Sequence, residues 1–154
     1  MAQDPPSPVR VGTRNIRFRV SSPVDGQLVL LNLTDDGELI QLFPNQHTRN
    51  VDRDGMIRAG GTITVPDAYY GMRFDATAPT SGTLIALVAF EPLDWPAVVG
   101  KERMAPIPAR KAVTEYLPRL AAALGGTRNA DDPNANTAAI PWAVATLRYE
   151  ITGR

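Results

Sequence analysis

Residues 14–20 alternate with period two: Ile16, Phe18 and Val20 share one face, and Asn15, Arg17 and Arg19 share the other. That is the pattern of a half-buried β-strand. Residues 28–33 are almost continuously apolar and read as a central strand. They run through Thr34-Asp35-Asp36-Gly37 into a second run, 38–43, that stops at Phe43-Pro44-Asn45. An Asp-Gly step between apolar runs predicts a hairpin, because Gly takes the positive φ of the turn without steric cost. A polar loop follows, then short extended pieces around 56–58 and 62–65. Residues 70–77 alternate again, with Tyr70, Met72, Phe74 and Ala76 inward. The turn at 79–82 leads into the apolar run 83–90, and the two predict a second hairpin over 70–90.

Beyond residue 90 the pattern changes. Segment 91–107 is irregular and Pro-rich. Over 109–124, Val113, Tyr116, Leu117, Leu120 and Leu124 fall on one stripe at helical spacing, with Glu115 and Arg119 as an i,i+4 pair on the other side. Pro118 sits on the polar side and predicts a kink, and Gly125-Gly126 supplies a stop. A polar loop over 127–137 leads to 142–151, where Ala143, Ala145, Leu147, Tyr149 and Ile151 form a core face and Trp142 is read as core as well. About seven short strands and one late helix predict a mainly β fold. We expect an antiparallel, Ig-like β-sandwich with the helix over an edge or end. A partly open barrel is the alternative.

The chain of 154 residues has the size of one ordinary domain. Residues 1–12 read as a flexible linker or cleaved N-terminus, as of a piece excised from something longer, and 13–154 as a single domain. Fourteen prolines, nearly twice the average usage of about 5%, cluster at the N-terminus, at strand ends and over 92–108, where they punctuate short strands. Sixteen Lys and Arg balance sixteen Asp and Glu, so no global field draws in nucleic acid or an anionic membrane. Arg14, Arg17 and Arg19 are the candidate basic patch, and two of them fall on a solvated strand face. Cysteine is absent, which removes disulfides, thiolate metal sites and cysteine nucleophiles. No apolar run approaches the ~18–20 residues of a membrane span.

Candidate chemistry is sparse. Asn50, Asp52 and Asp54 before Gly55 match the first half of a calcium loop, but the ninth position is Arg58 and the twelfth is Gly61. A polar turn is therefore preferred to a weak calcium site. His47 is the single histidine, and no Gly-x-Ser-x-Gly elbow or cysteine accompanies it, so a solvated loop histidine is preferred to a catalytic base. Asp35, Asp36 and Glu38 crowd one hairpin tip and read as turn chemistry. Gly60-Gly61 is followed by neither Lys-Ser/Thr nor a helix and cradles no phosphate. Tyr69, Tyr70 and Trp95 are the candidate contacts for a protein partner or a sugar, with His47 in the neighbouring loop. The bland alternative places Trp95 as a plug at the sandwich end. No cofactor is implied.

The features from Gly26 to Phe43-Pro44-Asn45, the Ile57-Arg58-Ala59-Gly60 step, Val65-Pro66, the 79–82 turn, and the closing Trp142 with Tyr149-Glu150-Ile151 resemble the bacterial domain-of-unknown-function family 4384. The resemblance spans about residues 12–152, with departures at 47–55 and in the helix at 109–124. Members of that family typically lie at the C-terminal end of larger bacterial proteins, including caspase-like peptidases and protein kinases, often exported or membrane-anchored. The resemblance thus implies an accessory module in the periplasm or cell envelope. The expected function is non-catalytic: contact with a protein partner, or positioning of a neighbouring catalytic domain. A glycan- or envelope-binding module is the alternative, and a hydrolase acting through His47 the remote one.

Overall fold

A computed structural model describes residues 1–45, 55–67, 73–93, 106–125 and 140–153. Among them are nine strands: β1 (Ala2–Asp4), β2 (Val9–Arg10), β3 (Arg17–Ser21), β4 (Gly26–Thr34), β5 (Leu39–Phe43), β6 (Met56–Ile57), β7 (Thr62–Val65), β8 (Thr80–Ala89) and β9 (Trp142–Thr152). They form two sheets. The small one has the order β1-β3-β7; the large one runs β2-β9-β8-β4-β5, with β6 also pairing β4. The fold is mainly β and sandwich-like, with one late helix, and is not a closed barrel. All pairs are antiparallel except β2 with β9, which makes the large sheet mixed. Residues 1–12, read from sequence as a linker or trimmed end, carry β1 and β2.

The apolar runs that mark β4 and β8 are continuous because both faces of the large sheet are covered. Leu28, Leu30, Leu84, Ala86 and Val88 face the small sheet, where they meet Phe18, Val20 and Val65, with Ile57 of β6 in the same core. Val29, Leu31, Leu87 and Ala89 face the helix. The molecule therefore has three layers: small sheet, large sheet, helix. Alternation on β3 is as the sequence predicts, with Phe18 and Val20 buried and Arg17 and Arg19 outward.

The hairpin of β4 and β5 is present. Thr34 N–H donates to Glu38 O at 2.9 Å and Gly37 N–H to Thr34 O at 3.0 Å, with Gly37 at φ +87°. This is the three-residue loop in which a glycine takes the left-handed position after a tight turn. A bulge between Leu30 and Leu31 inserts Leu42 between the pairs Leu30–Phe43 and Leu31–Gln41, and it breaks the alternation so that Leu42 and Phe43 both reach the inter-sheet core.

The second hairpin, expected over 70–90, does not form. Both edges of β8 are occupied, by β4 and by β9 along nearly its whole length. The described part of the expected arm, from Arg73 onward, instead lies beside residues 12–16, just before β3: Phe74 bridges Ile16, and Ala76 exchanges hydrogen bonds with Thr13 and Gly12 at 2.8 Å each.

The helical run comprises α1 (Ala109–Lys111), a π turn (Ala112–Tyr116) and α2 (Leu117–Gly125). The π turn ends directly before Pro118, whose missing N–H and bulky ring exclude the ordinary bond to the Thr114 carbonyl. The Leu117 N–H reaches back five residues to Ala112 O. The buried stripe is Ala112, Tyr116, Leu120 and Leu124, while Val113 and Leu117 are 65% and 43% exposed. This corrects the expected stripe. A four-residue step in an α-helix overshoots a full turn by about 40°. The wider π turn takes up that overshoot, so the row spaced by four stays on the sheet.

Candidate functional site

Three buried carboxamides brace the backbone at the exit of β5 and just after β8. Gln41 on β5 donates from Nε2 to the Pro44 carbonyl, and its Oε1 accepts from the Tyr116 hydroxyl at 3.0 Å. Asn45 Nδ2 donates to Leu42 O at 2.6 Å. Gln27 Oε1 accepts from the Leu93 N–H at 2.6 Å. Each amide is nearly inaccessible to water and is matched with a backbone or hydroxyl partner, as burial requires. Burial alone pushes the Tyr116 phenol well above its ordinary value, so it is held as a neutral donor.

Between the sheets lies a cavity of about 160 Å³. Its walls are largely apolar. Phe18 packs against Phe74 and Tyr149 with ring centroids 5.9 and 6.4 Å apart, and Leu42 and Leu84 close the large-sheet side. Asn32 reaches it from β4, on the face shared with Leu28 and Leu30, and Gln3 from β1, where it pairs with Phe18. The Oε1 of Gln3 and the Oδ1 of Asn32 are buried and accept no hydrogen bond. The Asp75 carboxylate is a third oxygen at the cavity; its side chain is 29% exposed, and it accepts from the Asn15 N–H at 2.9 Å. Sequence reading missed this site. Its one legible signal was Asn32, a polar residue on the inward parity of an otherwise apolar strand.

Among the described residues, the outer edge of β9 is partnered only toward its C-terminal end. β2 pairs with it only at Ile151 and Thr152, and Ser7 Oγ accepts the Glu150 N–H at 2.8 Å. No described residue bonds that edge over 142–148. Trp142 and Val144, both 52% exposed, stand on the helix side of the sheet, opposite Ala89 and Leu87. The expectation that Trp142 is core is thus corrected, and Ala143 and Ala145, expected on the core face, are exposed as well. Neither the small sheet nor the helix covers the start of β9.

The residues singled out from sequence lie elsewhere. His47, Tyr69, Tyr70, Trp95 and the Asn50, Asp52 and Asp54 trio fall outside the described residues. Gly55, the glycine of that calcium-like pattern, has a packing reason of its own: at φ +89°, a Cβ there would meet Leu28 O at 2.9 Å. At the hairpin tip, Asp36 accepts from the Thr34 hydroxyl, which holds its carboxyl below the usual range, and Asp35 lies 3.8 Å from Arg148. These acids serve the turn. Among the described residues there is no cluster of His, Asp and Glu fit to hold a metal ion, and no helix long and apolar enough to cross a membrane.

A family model described as "Domain of unknown function (DUF4384)" matches residues 9–91, just over half of the chain. The chain belongs to the DUF4384 family. The match runs from β2 to the end of β8, so the shared DUF4384 portion holds the Asp-Gly hairpin and the cavity wall from Phe18, Asn32 and Phe74. The helix, the outer edge of β9 and Tyr149 lie beyond it, as do the closing Trp142 and Tyr149-Glu150-Ile151 that contributed to the resemblance. No curated protein and no solved structure gave a significant match.

Proposed function

We propose that this DUF4384 domain is a non-catalytic module that makes protein–protein contact, with a partner or with a neighbouring domain of the same polypeptide, through the outer edge of β9. The observation that carries the reading is the outer edge of β9 over 142–148, which no described residue bonds, beside exposed Trp142 and Val144. Unpaired N–H and C=O groups in a row recruit an extended strand, and a large aromatic beside them supplies an anchor. The non-catalytic part rests on residue chemistry: the chain has no cysteine, and its single histidine is accompanied by no Gly-x-Ser-x-Gly elbow. The glycan alternative rests on Tyr69, Tyr70 and Trp95, outside the described residues.

A photo-reactive phenylalanine analogue placed at position 144 of the full-length product, irradiated in the native host, tests the contact. The expected result is a discrete cross-link to another domain or protein, absent when the same group stands at position 17 on the outer face of β3. Equal labelling from the two positions would overturn the edge as the contact. A hydrolytic activity lost in His47→Ala would overturn the non-catalytic reading.

A further inference from the structure

We propose that the cavity between the two sheets is a binding site for a single aromatic ring carrying an O–H or N–H donor. Size sets the first limit. A void of about 160 Å³ matches the roughly 150 Å³ cavity that takes up benzene in an engineered protein, so one six-membered ring fits and a fused polycycle does not. The wall sets the second. Phe18, Phe74 and Tyr149 present ring faces and edges at tilted angles, 38° and 47° between planes, which suits an inserted ring meeting them edge-to-face.

Polarity sets the third limit. Gln3 Oε1 and Asn32 Oδ1 approach from opposite sheets, both buried and both without a donor. A buried acceptor left without a donor costs free energy, and a group that delivers one recovers it. No Lys or Arg is among the described residues lining the cavity, and the Asp75 carboxylate at its margin lies 3.9 Å from Arg73. An anionic ligand is therefore disfavoured, and a neutral ring bearing a donor is what the lining complements. Phenol has this chemistry as a free molecule, and the side chain of tyrosine has it within a polypeptide.

Titration of the ¹⁵N-labelled 154-residue chain with phenol, anisole and benzene, followed by amide chemical shifts, tests the assignment. Phenol is expected to shift amides of β1, β4 and β9 and to bind about tenfold more tightly than benzene or anisole, the effect of one donated hydrogen bond. Asn32→Leu should bring phenol down to the level of benzene while raising the unfolding midpoint, because the unmatched polar atom is gone; Gln3→Leu repeats the test from the other sheet. N-acetyl-tyrosinamide distinguishes the sources: binding as tight as phenol supports a side chain of a polypeptide, and binding by phenol alone supports a free small molecule. Absence of shifts with phenol at about 10 mM, equal affinity for phenol and anisole, or phenol affinity unchanged in both variants would overturn the proposal.

Discussion

The Tyr116 hydroxyl donates to Gln41 Oε1 at 3.0 Å, joining the helix to β5 across 75 positions of sequence. Both side chains are buried, and the same Gln41 amide holds the Pro44 carbonyl through its other end. The bond therefore ties the helical layer to the large sheet and to the exit of the β5 strand at once. Tyr116→Phe keeps the ring and removes the donor, leaving Gln41 Oε1 without one. We expect a loss of about 1–3 kcal/mol in urea unfolding, the cost of an unmatched buried acceptor. An unchanged unfolding midpoint would mean that water replaces the phenol and that the helix is held by apolar contact alone.

The same phenol gives the protein a defined alkaline limit. Burial raises its pKa above the ordinary 10.0, so the folded state keeps the proton after the unfolded chain has begun to lose it. Stability from this group is complete below pH 10.0 and falls as pH rises beyond it, because the unfolded state then binds fewer protons than the folded one. Tyr116→Phe lacks this dependence. The stability gap between the two proteins should narrow when urea midpoints are followed from about pH 9 to about pH 11. Parallel curves would show that the phenol ionises as readily in the folded state as outside it.

Much of this architecture was legible in local pattern, and the misses share one cause. The β4–β5 hairpin was readable because Asp-Gly fixes a turn within four residues, and β3 because alternation needs no partner to be seen. The pairing of β8 was not. Its apolar run suits any central strand, and whether its neighbours are β4 and β9 or residues 70–77 depends on contacts far apart in sequence. The helix was readable by period, but Pro118 displaced the buried stripe from Val113 and Leu117 to Ala112 through a π turn that a fixed 3.6-residue period does not represent. Trp142 was misplaced for a similar reason: alternation assigns a face, and only tertiary structure says whether anything covers it. The cavity needed two sheets to be brought together before Gln3 and Asn32 became neighbours.

The three-layer arrangement predicts equal sensitivity on both faces of β4. Leu30, inaccessible to water, packs toward the small sheet, and Leu31, 2% exposed, packs toward the helix. Leu30→Ala and Leu31→Ala should each cost about 2–5 kcal/mol, the range for truncating a buried leucine. In a two-layer sandwich one of the pair would face solvent and be nearly silent. A Leu31→Ala protein with wild-type stability in chemical denaturation would therefore remove the helix from the folded core.

Gly37 carries the turn at φ +87°, where a Cβ is strained. Gly37→Ala should destabilise the protein by about 1–2 kcal/mol, whereas Gly37→Asn should cost less because asparagine tolerates the left-handed region. Thermal unfolding of the two variants side by side checks the order. Equal midpoints for alanine and asparagine would place the cost in packing against Ala109, whose Cβ lies 3.2 Å from a Cβ built at this glycine, and not in the backbone.

Gly82 on β8 makes the most demanding prediction, because it touches both the sheet ladder and Tyr149, which lines the cavity. It pairs with Tyr149 on β9 and with Thr34 on β4. A Cβ there would stand 2.8 Å from Leu33 O and 2.9 Å from the Tyr149 Oη. The tyrosine ring lies across the space that any side chain at 82 would fill, so the glycine is what lets Tyr149 reach the inter-sheet core and pack 6.4 Å from Phe18. The Leu33 carbonyl belongs to the sheet ladder and has little room to retreat. Gly82→Ala should therefore cost about 1–3 kcal/mol, as other overpacked sites do, and the Tyr149 ring resonances should move with the loss. A stable Gly82→Ala protein with shifted Tyr149 resonances would mean that the ring swings aside freely. Stability and resonances both unchanged would mean that Tyr149 does not lie over Gly82 in solution.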